Sequence, residues 1–306
     1  MRIFITGGTG FIGSHLIPKL ADGKNKLLVL TRNSKNLVKY KRVTCLKEDL
    51  SKINNWKEEL KKFKPEVVVH LAWEGIPDYS SPNSITNLKY GLDLLQILET
   101  VGCKKILVTG SLWEYGLQKG RLSEKTSVHP LNAFTAAKNS LNWVGSEFAK
   151  EHNIVFLWVR LFYVYGPGQK KNSLIPYLIS CAKENKKPKI RNPNAQNDFI
   201  YVEDAAEAIY QILLISNKSD TFNIGSGELT SIQHIIESIS KALGIKNYQV
   251  GNKERIDDYA FSYADISKIK KWVSILIYIV CVFTMLFQEY LIANLVYYKY
   301  LYHIVP

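Results

Sequence analysis

The feature that most constrains this chain is a short apolar run that meets three evenly spaced glycines near its start. Residues 3–6 are typical of a buried strand, Gly7, Gly10 and Gly13 follow, and residues 11–20 have a helical pattern. A strand, a glycine turn and a helix bring backbone N–H groups and a positive helix end to one point, which suits the pyrophosphate of a dinucleotide. An ordinary Gly-rich turn would show the same spacing, so other parts of the chain must decide between the two.

Each glycine has its own expected role in such a turn. Gly7 allows the tight turn, Gly10 lets the backbone approach the phosphates, and Gly13 lets the helix pack closely on the strand. The cofactor-binding residues predicted in this segment are Gly7, Thr9, Gly10, Phe11, Ile12 and Gly13.

Strand and helix patterns alternate after this turn about every 30 residues, as in a doubly wound parallel sheet. Strands are predicted at 26–31, 43–47, 66–72, 105–109 and 155–161, and helices at 56–63, 83–101 and 133–151. The pattern loosens beyond residue 166, with helices predicted at 174–184, 205–215 and 231–243. We expect an α/β fold with a Rossmann-type domain at 1–165. A smaller C-terminal substrate-binding part is predicted at 166–271, with the sheet partly shared.

Composition narrows the classes of partner. The net charge is +13, but the lysines are scattered and no basic stripe alternates with aromatics, so we expect no nucleic-acid partner. A basic protein still attracts anionic substrates such as nucleotide sugars. The four cysteines form no close pair, which indicates a reducing compartment and no metal site. Because the chain begins directly with a strand, we expect no signal peptide and a cytoplasmic location.

The C-terminal segment, residues 272–306, departs from this pattern. Between Lys271 and Lys299 the one charged residue is Glu289. A spanning helix needs about 20 apolar residues, and Gln288, Glu289 and Asn294 make the stretch 272–298 a marginal candidate. Two explanations stay open, a membrane anchor and a tail read from a shifted frame.

Two polar residues after the predicted strands bear on the cofactor. Arg32 stands at the end of the second strand, where an acidic residue would favour NAD and an arginine can pair with a 2′-phosphate. The sequence therefore favours NADP(H) over NAD(H), and a solvated surface arginine is the alternative. Asp49 follows the third strand and is expected to bond the adenine amino group.

Several motifs along residues 1–270 are typical of a single protein family. These are Thr-Gly-x-x-Gly-x-x-Gly at 6–13, His-Leu-Ala at 70–72, Arg-x-x-x-x-Tyr-Gly-Pro-Gly-x at 160–169, and the runs that begin at Asp198 and Phe222. In these motifs the chain resembles the extended short-chain dehydrogenase/reductase family, in its epimerase/dehydratase group acting on nucleotide sugars. That family transfers a hydride between a nicotinamide and a sugar, with a Ser/Thr, a Tyr and a Lys at the reacting centre.

The resemblance places the catalytic positions at Ser111, Phe134 and Lys138. The family tyrosine lies four positions before the lysine, so that one helical turn puts both side chains on one face. Here that position is Phe134, which has no proton to give. Three explanations stay open. The phenylalanine is engineered, or it is natural and Ser111 or a water acts as a weaker acid, or the chain binds nucleotide sugars without turnover.

Further site residues follow from the same resemblance. Expected cofactor contacts beyond the glycine turn are Arg32, Asp49, Leu50, Leu71, Ala72, Lys138 and Phe162. Expected substrate contacts are Ser111, Tyr165, Asn197 and Arg255, with the arginine on the substrate pyrophosphate. Asn197 replaces an arginine that is common in the family.

The family resemblance also indicates which reaction is expected. Leu112 and Trp113 stand where family dehydratases carry an Asp-Glu pair, which argues against 4,6-dehydration. The expected activity is NADPH-dependent reduction of a nucleotide-linked 4-keto-6-deoxy sugar, in the synthesis of deoxysugars for surface polysaccharide. An NAD-dependent nucleotide-sugar 4-epimerase is the alternative, and we expect a homodimer.

Overall fold

The structure is a computed structural model that describes residues 1–35, 37–190, 192–245 and 261–273. Its strands in chain order are β1 Arg2–Thr6, β2 Lys26–Leu30, β3 Val43–Leu46, β4 Val67–His70, β5 Lys105–Ser111, β6 Gly120–Leu122, β7 Val155–Leu161, β8 Tyr163–Tyr165, β9 Gln196–Asn197, β10 Phe199–Tyr201, β11 Asp220–Ile224, β12 Thr230–Ser231 and β13 Ser262–Ala264.

The helices alternate with these strands through most of the chain. They are α1 Phe11–Ala21, α2 Ile53–Phe63, α3 Ser81–Val101, α4 Ala133–Glu151, α5 Leu174–Lys183, α6 Val202–Ile215, α7 Ile232–Leu243 and α8 Ser267–Val273. A short 3-10 helix, Leu112–Tyr115, directly follows β5. The elements predicted from the sequence up to residue 161 agree with these bounds to within a few residues.

A parallel sheet of seven strands, in the order β11-β7-β5-β4-β1-β2-β3, carries the fold. Its central strands are buried on both faces, since every residue of β4 and residues 3–6 of β1 are buried. Helices α2, α3 and α4 pack over one face, and α1 and α6 pack against each other. The predicted doubly wound, Rossmann-type α/β fold is therefore confirmed.

The chain divides into two compact units that interleave along the sequence. The first unit comprises 1–116, 124–161 and 202–224, and it contains the whole seven-strand sheet. The second comprises 117–123, 162–201 and the described residues from 225 onward. The segment 202–224 supplies α6 and β11 to the first unit although it follows the predicted boundary at residue 165. The predicted domain bounds, with the sheet partly shared, stay a prediction.

The second unit is organised by a buried carboxylate. Asp198 is fully buried and accepts hydrogen bonds from the Ser226 backbone at 2.6 Å, the Ser226 hydroxyl at 2.7 Å, and the Gly227 and Ala264 backbones, each at 3.0 Å. These four donors compensate for the lost hydration of the carboxylate. The side chain thus joins the turn at 225–227 to β13, which pairs with β6 and β9.

Parts of two sequence predictions lie outside the described residues. Arg255 and residues 274–306 of the apolar tail belong to segments whose structure is not described. Among the described residues, no helix has the length and hydropathy needed to cross a bilayer.

The glycine turn is the most tightly packed part of the first unit. Gly7 has φ +73°, a backbone conformation that favours glycine. A Cβ atom at Gly13 would lie 2.6 Å from the Gly8 Cα and against the carbonyl oxygen of Gly7. The close approach of α1 to β1 therefore depends on the absence of a side chain at residue 13.

We expect Gly13→Ala to lower the free energy of unfolding by about 2 kcal/mol, because backbone atoms cannot rotate away from the new methyl group. Gly23→Ala is the matched control, since a Cβ at that position meets no atom within 4 Å. Urea unfolding of the two variants measures the difference. Equal stability of the two would contradict the close packing of the turn.

Candidate active site

The glycine turn lies at the carboxyl edge of the sheet, beside the end of β4. The Gly10 backbone donates to the Gly7 carbonyl at 3.0 Å, and Gly10 caps α1. A Cβ at Gly7 would come 2.7 Å from the Ala72 nitrogen, so the turn packs on the backbone of the Leu71–Ala72 segment. This backbone cradle at a helix N-terminus fits the pyrophosphate of a nicotinamide dinucleotide.

Other predicted cofactor residues also lie in the first unit. The Thr9 hydroxyl bonds the Thr31 hydroxyl at 2.8 Å and so ties the turn to the end of β2. Phe11 and Ile12 are half-buried in the first turn of α1, and Leu50 packs against the hydrophobic core. Their contact with a cofactor stays a prediction.

Arg32 lies between two carboxylates. Its Nη1 is 2.7 Å from Glu74 Oε1 and 3.5 Å from Asp49 Oδ2, and the guanidinium side chain is 72% exposed. Hydrogen bonds from the Ser51 hydroxyl and backbone lower the pKa of Asp49, with a smaller contribution from Arg32. Both carboxylates compete with any phosphate for the same guanidinium.

Ser111 is held at the end of β5 by a reciprocal cap. Its backbone donates to Glu114 Oε1 at 2.7 Å, while its hydroxyl oxygen accepts from the Trp113 backbone at 3.2 Å. The hydroxyl proton is not used by these contacts and can be donated to a substrate oxygen. The Glu114 carboxylate thus holds the Ser111 backbone, and the Trp113 backbone holds the Ser111 hydroxyl.

Lys138 is buried close to the same strand. Its Nζ donates to the Thr109 carbonyl at 2.7 Å and lies 4.0 Å from the centre of the Trp73 ring. Burial lowers the pKa of Lys138 to about 7, against the opposing effect of the Glu114 charge. Because Thr109 and Ser111 are two residues apart on β5, the structure brings Ser111 and Lys138 to the same strand end.

His70 lies in the same buried region. Its Nδ1 is 2.7 Å from the Thr6 hydroxyl, and burial, together with the Lys138 charge, lowers its pKa to about 3. The imidazole is therefore neutral at physiological pH and joins β1 to β4.

Phe134 belongs to a cluster of four aromatic rings, which we call the aromatic cluster. Its ring centre is 5.3 Å from Trp73, 5.0 Å from Tyr79 and 6.1 Å from Trp113, all in edge contacts. Phe134 is buried and lies one helical turn before Lys138 on α4. The position that the family resemblance assigns to a phenol is thus enclosed by aromatic side chains.

The second unit contains the predicted substrate residues Tyr165 and Asn197 and the predicted cofactor residue Phe162. Tyr165 ends β8, where its buried ring contacts Tyr201 at 5.7 Å, and Phe162 is buried just before that strand. Asn197 is buried on β9, opposite Thr230 of β12 and Ser262 of β13. The substrate roles of Tyr165 and Asn197 and the cofactor role of Phe162 stay predictions.

The structure adds residues that the sequence reasoning did not assign. These are Trp73, Glu74, Tyr79, Trp113 and Glu114. Trp73 and Glu74 directly follow the His-Leu-Ala motif, and Glu114 is part of the segment after Ser111, so their positions next to recognised motifs could have identified them. Tyr79 has no such marker, because its contact with Phe134 joins residues that are far apart in the chain.

Known proteins resemble this chain in sequence over most of its length. The family model described as NAD dependent epimerase/dehydratase matches residues 3–225. A dTDP-4-dehydro-6-deoxyglucose reductase of Escherichia coli is 26% identical over 264 residues, which cover 80% of this chain and 82% of the relative.

Two solved structures have a similar fold. A UDP-N-acetylglucosamine 4-epimerase from Methanobrevibacter ruminantium M1, in complex with UDP-N-acetylmuramic acid, is 27% identical with a TM-score of 0.85, covering 97% of this chain and 98% of the other. A UDP-glucuronic acid 4-epimerase from Bacillus cereus, in complex with UDP-glucuronic acid and NAD, is 25% identical with a TM-score of 0.79, covering 90% and 93%.

The lowered pKa of Lys138 predicts a pH-dependent stability. Between the folded value of about 7 and the ordinary 10.5, the unfolded chain binds a proton that the folded chain does not. The free energy of unfolding should therefore rise with pH relative to Lys138→Met, by up to roughly 1.4 kcal/mol per pH unit. Urea unfolding of both proteins from neutral to alkaline pH measures this difference.

Lys150→Met, which removes an exposed lysine of the same helix, serves as the control. The difference in free energy of unfolding between this variant and the natural chain should not change with pH. If the difference in free energy of unfolding between Lys138→Met and the natural chain does not change with pH either, the Lys138 ammonium is not desolvated.

Proposed function

Because the chain belongs to the NAD dependent epimerase/dehydratase family, we propose that it transfers a hydride between a nucleotide sugar and a bound nicotinamide. The observation that carries this proposal is the convergence of Ser111 and Lys138 at the end of β5, in the same unit as the glycine cradle. The glycine cradle would bind the dinucleotide. Ser111 would supply a hydroxyl donor and Lys138 a buried amine, both from the same unit as the cradle.

Within this class we propose reduction of a 4-keto-6-deoxy sugar linked to a nucleotide. Leu112 and Trp113 follow Ser111, so the Asp-Glu pair of the dehydratases has no counterpart at these positions. The similarity to the reductase of E. coli supports the same reaction. Such a product would serve the synthesis of deoxysugars for surface polysaccharide.

Each residue of the proposed site would have its own role in the reduction. Ser111 donates a hydrogen bond to the keto oxygen and stabilises the negative charge that develops there. Lys138 holds the ribose next to the nicotinamide and adds positive charge while it is protonated. The bound cofactor supplies the hydride. Phe134 contributes contact area but no proton.

An NAD-dependent 4-epimerase is the second candidate. The two 4-epimerase structures described above support it as strongly as the reductase relative supports reduction. An epimerase keeps its cofactor bound and regenerates it in each cycle, whereas a reductase consumes it. Binding without turnover is the third candidate, and Phe134 is the residue that favours it.

Arg32 is the proposed determinant of the choice between NADP(H) and NAD(H). An arginine at this position favours the 2′-phosphate of NADP(H), as the sequence predicts. The contacts with Glu74 and Asp49 oppose that preference, because a phosphate must displace a carboxylate or share the guanidinium with it. We propose that Glu74 sets the balance between the two cofactors.

We propose that the homodimer forms through a surface of the first unit. Helices α3 and α4 pack against each other, and both carry exposed apolar side chains. These are Ile85 on α3 and Trp143 and Val144 on α4. We propose that a second copy of this chain buries these residues in the dimer interface.

We expect Phe134→Tyr to raise turnover of a 4-keto-6-deoxy nucleotide sugar at least about tenfold, because a missing general acid costs roughly 10²–10⁴ in rate. Loss of absorbance by the reduced nicotinamide measures the reaction. Phe148→Tyr is the matched control, with the same substitution on the same helix at a partly buried side chain that packs against the hydrophobic core. A rise of less than tenfold would show either that the reacting centre lies elsewhere or that another side chain already donates the proton.

Glu74→Gln should tighten binding of NADP⁺ by about fivefold and leave binding of NAD⁺ within about twofold, since the substitution removes one charge that competes for Arg32. Calorimetric titration with the two dinucleotides gives both dissociation constants. Glu59→Gln, on the exposed face of α2, is the control. An unchanged affinity ratio would mean that Arg32 does not contact the 2′ position.

A further inference from the structure

A second phenol lies against the position where the family resemblance would place the catalytic tyrosine. Tyr79 belongs to the loop before α3, and its ring centre is 5.0 Å from Phe134 and 4.9 Å from Trp113. Tyr79 and Phe134 are 55 residues apart in the chain, and the fold brings them into edge contact. The aromatic cluster therefore contains a proton donor although Phe134 is not one.

The cluster also connects this phenol to the buried lysine. The Trp73 ring contacts Phe134 at 5.3 Å on one side and the Lys138 ammonium at 4.0 Å on another. Phe134 and Lys138 share one face of α4, one helical turn apart. Tyr79 thus stands across the Phe134 ring, in the same group of side chains as Lys138.

The Tyr79 hydroxyl is available for a substrate. Within the part of the chain that the structure describes, it makes no hydrogen bond, and the residue is neither fully buried nor exposed. Partial burial raises the pKa of Tyr79, so the phenol keeps its proton at neutral pH. A phenol that holds a proton and has no internal partner is suited to donating to an oxygen that becomes negative.

We propose that Tyr79 is the proton donor of this site and replaces the tyrosine that is absent at Phe134. This inference rests on the proposed reduction of a keto sugar. In the step, the keto carbon gains a hydride drawn from the reduced nicotinamide, and the carbonyl π electrons move to the oxygen. That oxygen takes the proton of the Tyr79 hydroxyl, and the resulting phenolate recovers a proton from water, which its partial exposure allows.

The test is a double-mutant cycle on the full chain. Tyr79→Phe alone should lower turnover of a 4-keto-6-deoxy nucleotide sugar by about 30-fold or more. In the Phe134→Tyr background the same change should cost less than about threefold, because a second phenol is then present. Tyr210→Phe, on α6, is the matched control and should leave both backgrounds unchanged.

A binding measurement separates donation from packing. Tyr79→Phe should weaken the binding of dTDP-glucose or UDP-glucose about three- to tenfold and leave the free nucleotide diphosphate unaffected, since one hydrogen bond to the sugar is lost. An equal loss for sugar nucleotide and free nucleotide would overturn the proposal and show that Tyr79 supports only the fold.

The kinetic outcomes distinguish this inference from the function on which it rests. Equal losses from Tyr79→Phe in both backgrounds would overturn the role of Tyr79. An inactive natural chain that becomes active with Phe134→Tyr would also overturn it, while supporting the proposed reduction. Inactivity of both proteins with NADH and with NADPH would overturn the proposed function itself, and the role of Tyr79 with it.

Discussion

The buried carboxylate of Glu114 is the interaction on which the site depends. It accepts from the Ser111 backbone at 2.7 Å, from the Trp158 indole at 3.0 Å and from the Arg160 guanidinium at 2.9 Å, with no exposed surface of its own. A charge removed from water is tolerated only when such partners compensate for its hydration. Moving the 3-10 helix after β5 would leave these groups unpaired, so Ser111 and Trp113 are held in place by the interior of the protein.

The proposed site has two halves built from different groups. The glycine cradle is made of backbone, and a Cβ atom at Gly7 or Gly13 would collide with neighbouring backbone atoms. The half proposed for proton transfer is made of side chains packed ring against ring. Phe134 makes its edge contacts through a ring that phenylalanine and tyrosine share, so exchanging the two residues alters the chemistry of the site but retains the ring.

The sequence predicted the elements of the first unit well because their burial follows simple periodicity. β4 is apolar on both faces, and α4 and β7 have the bounds that their patterns indicate. The short strands were not predicted, since two or three residues carry no period; these are β6, β8, β9, β10, β12 and β13. Their pairing depends on partners far away in the chain, as when β13 aligns with β6. The return of 202–224 to the main sheet is likewise a long-range event.

The sequence by itself determined the fold class, the glycine cradle and the positions of Ser111, Phe134 and Lys138, because each depends on local spacing or on residue identity. Only the tertiary structure decided what surrounds them. Arg32 is paired with Glu74, and Tyr79 is packed on Phe134, through contacts between segments that are about 40 or more residues apart. The pKa of Lys138 is lowered because folding removes its ammonium from water, and no local pattern contains that information.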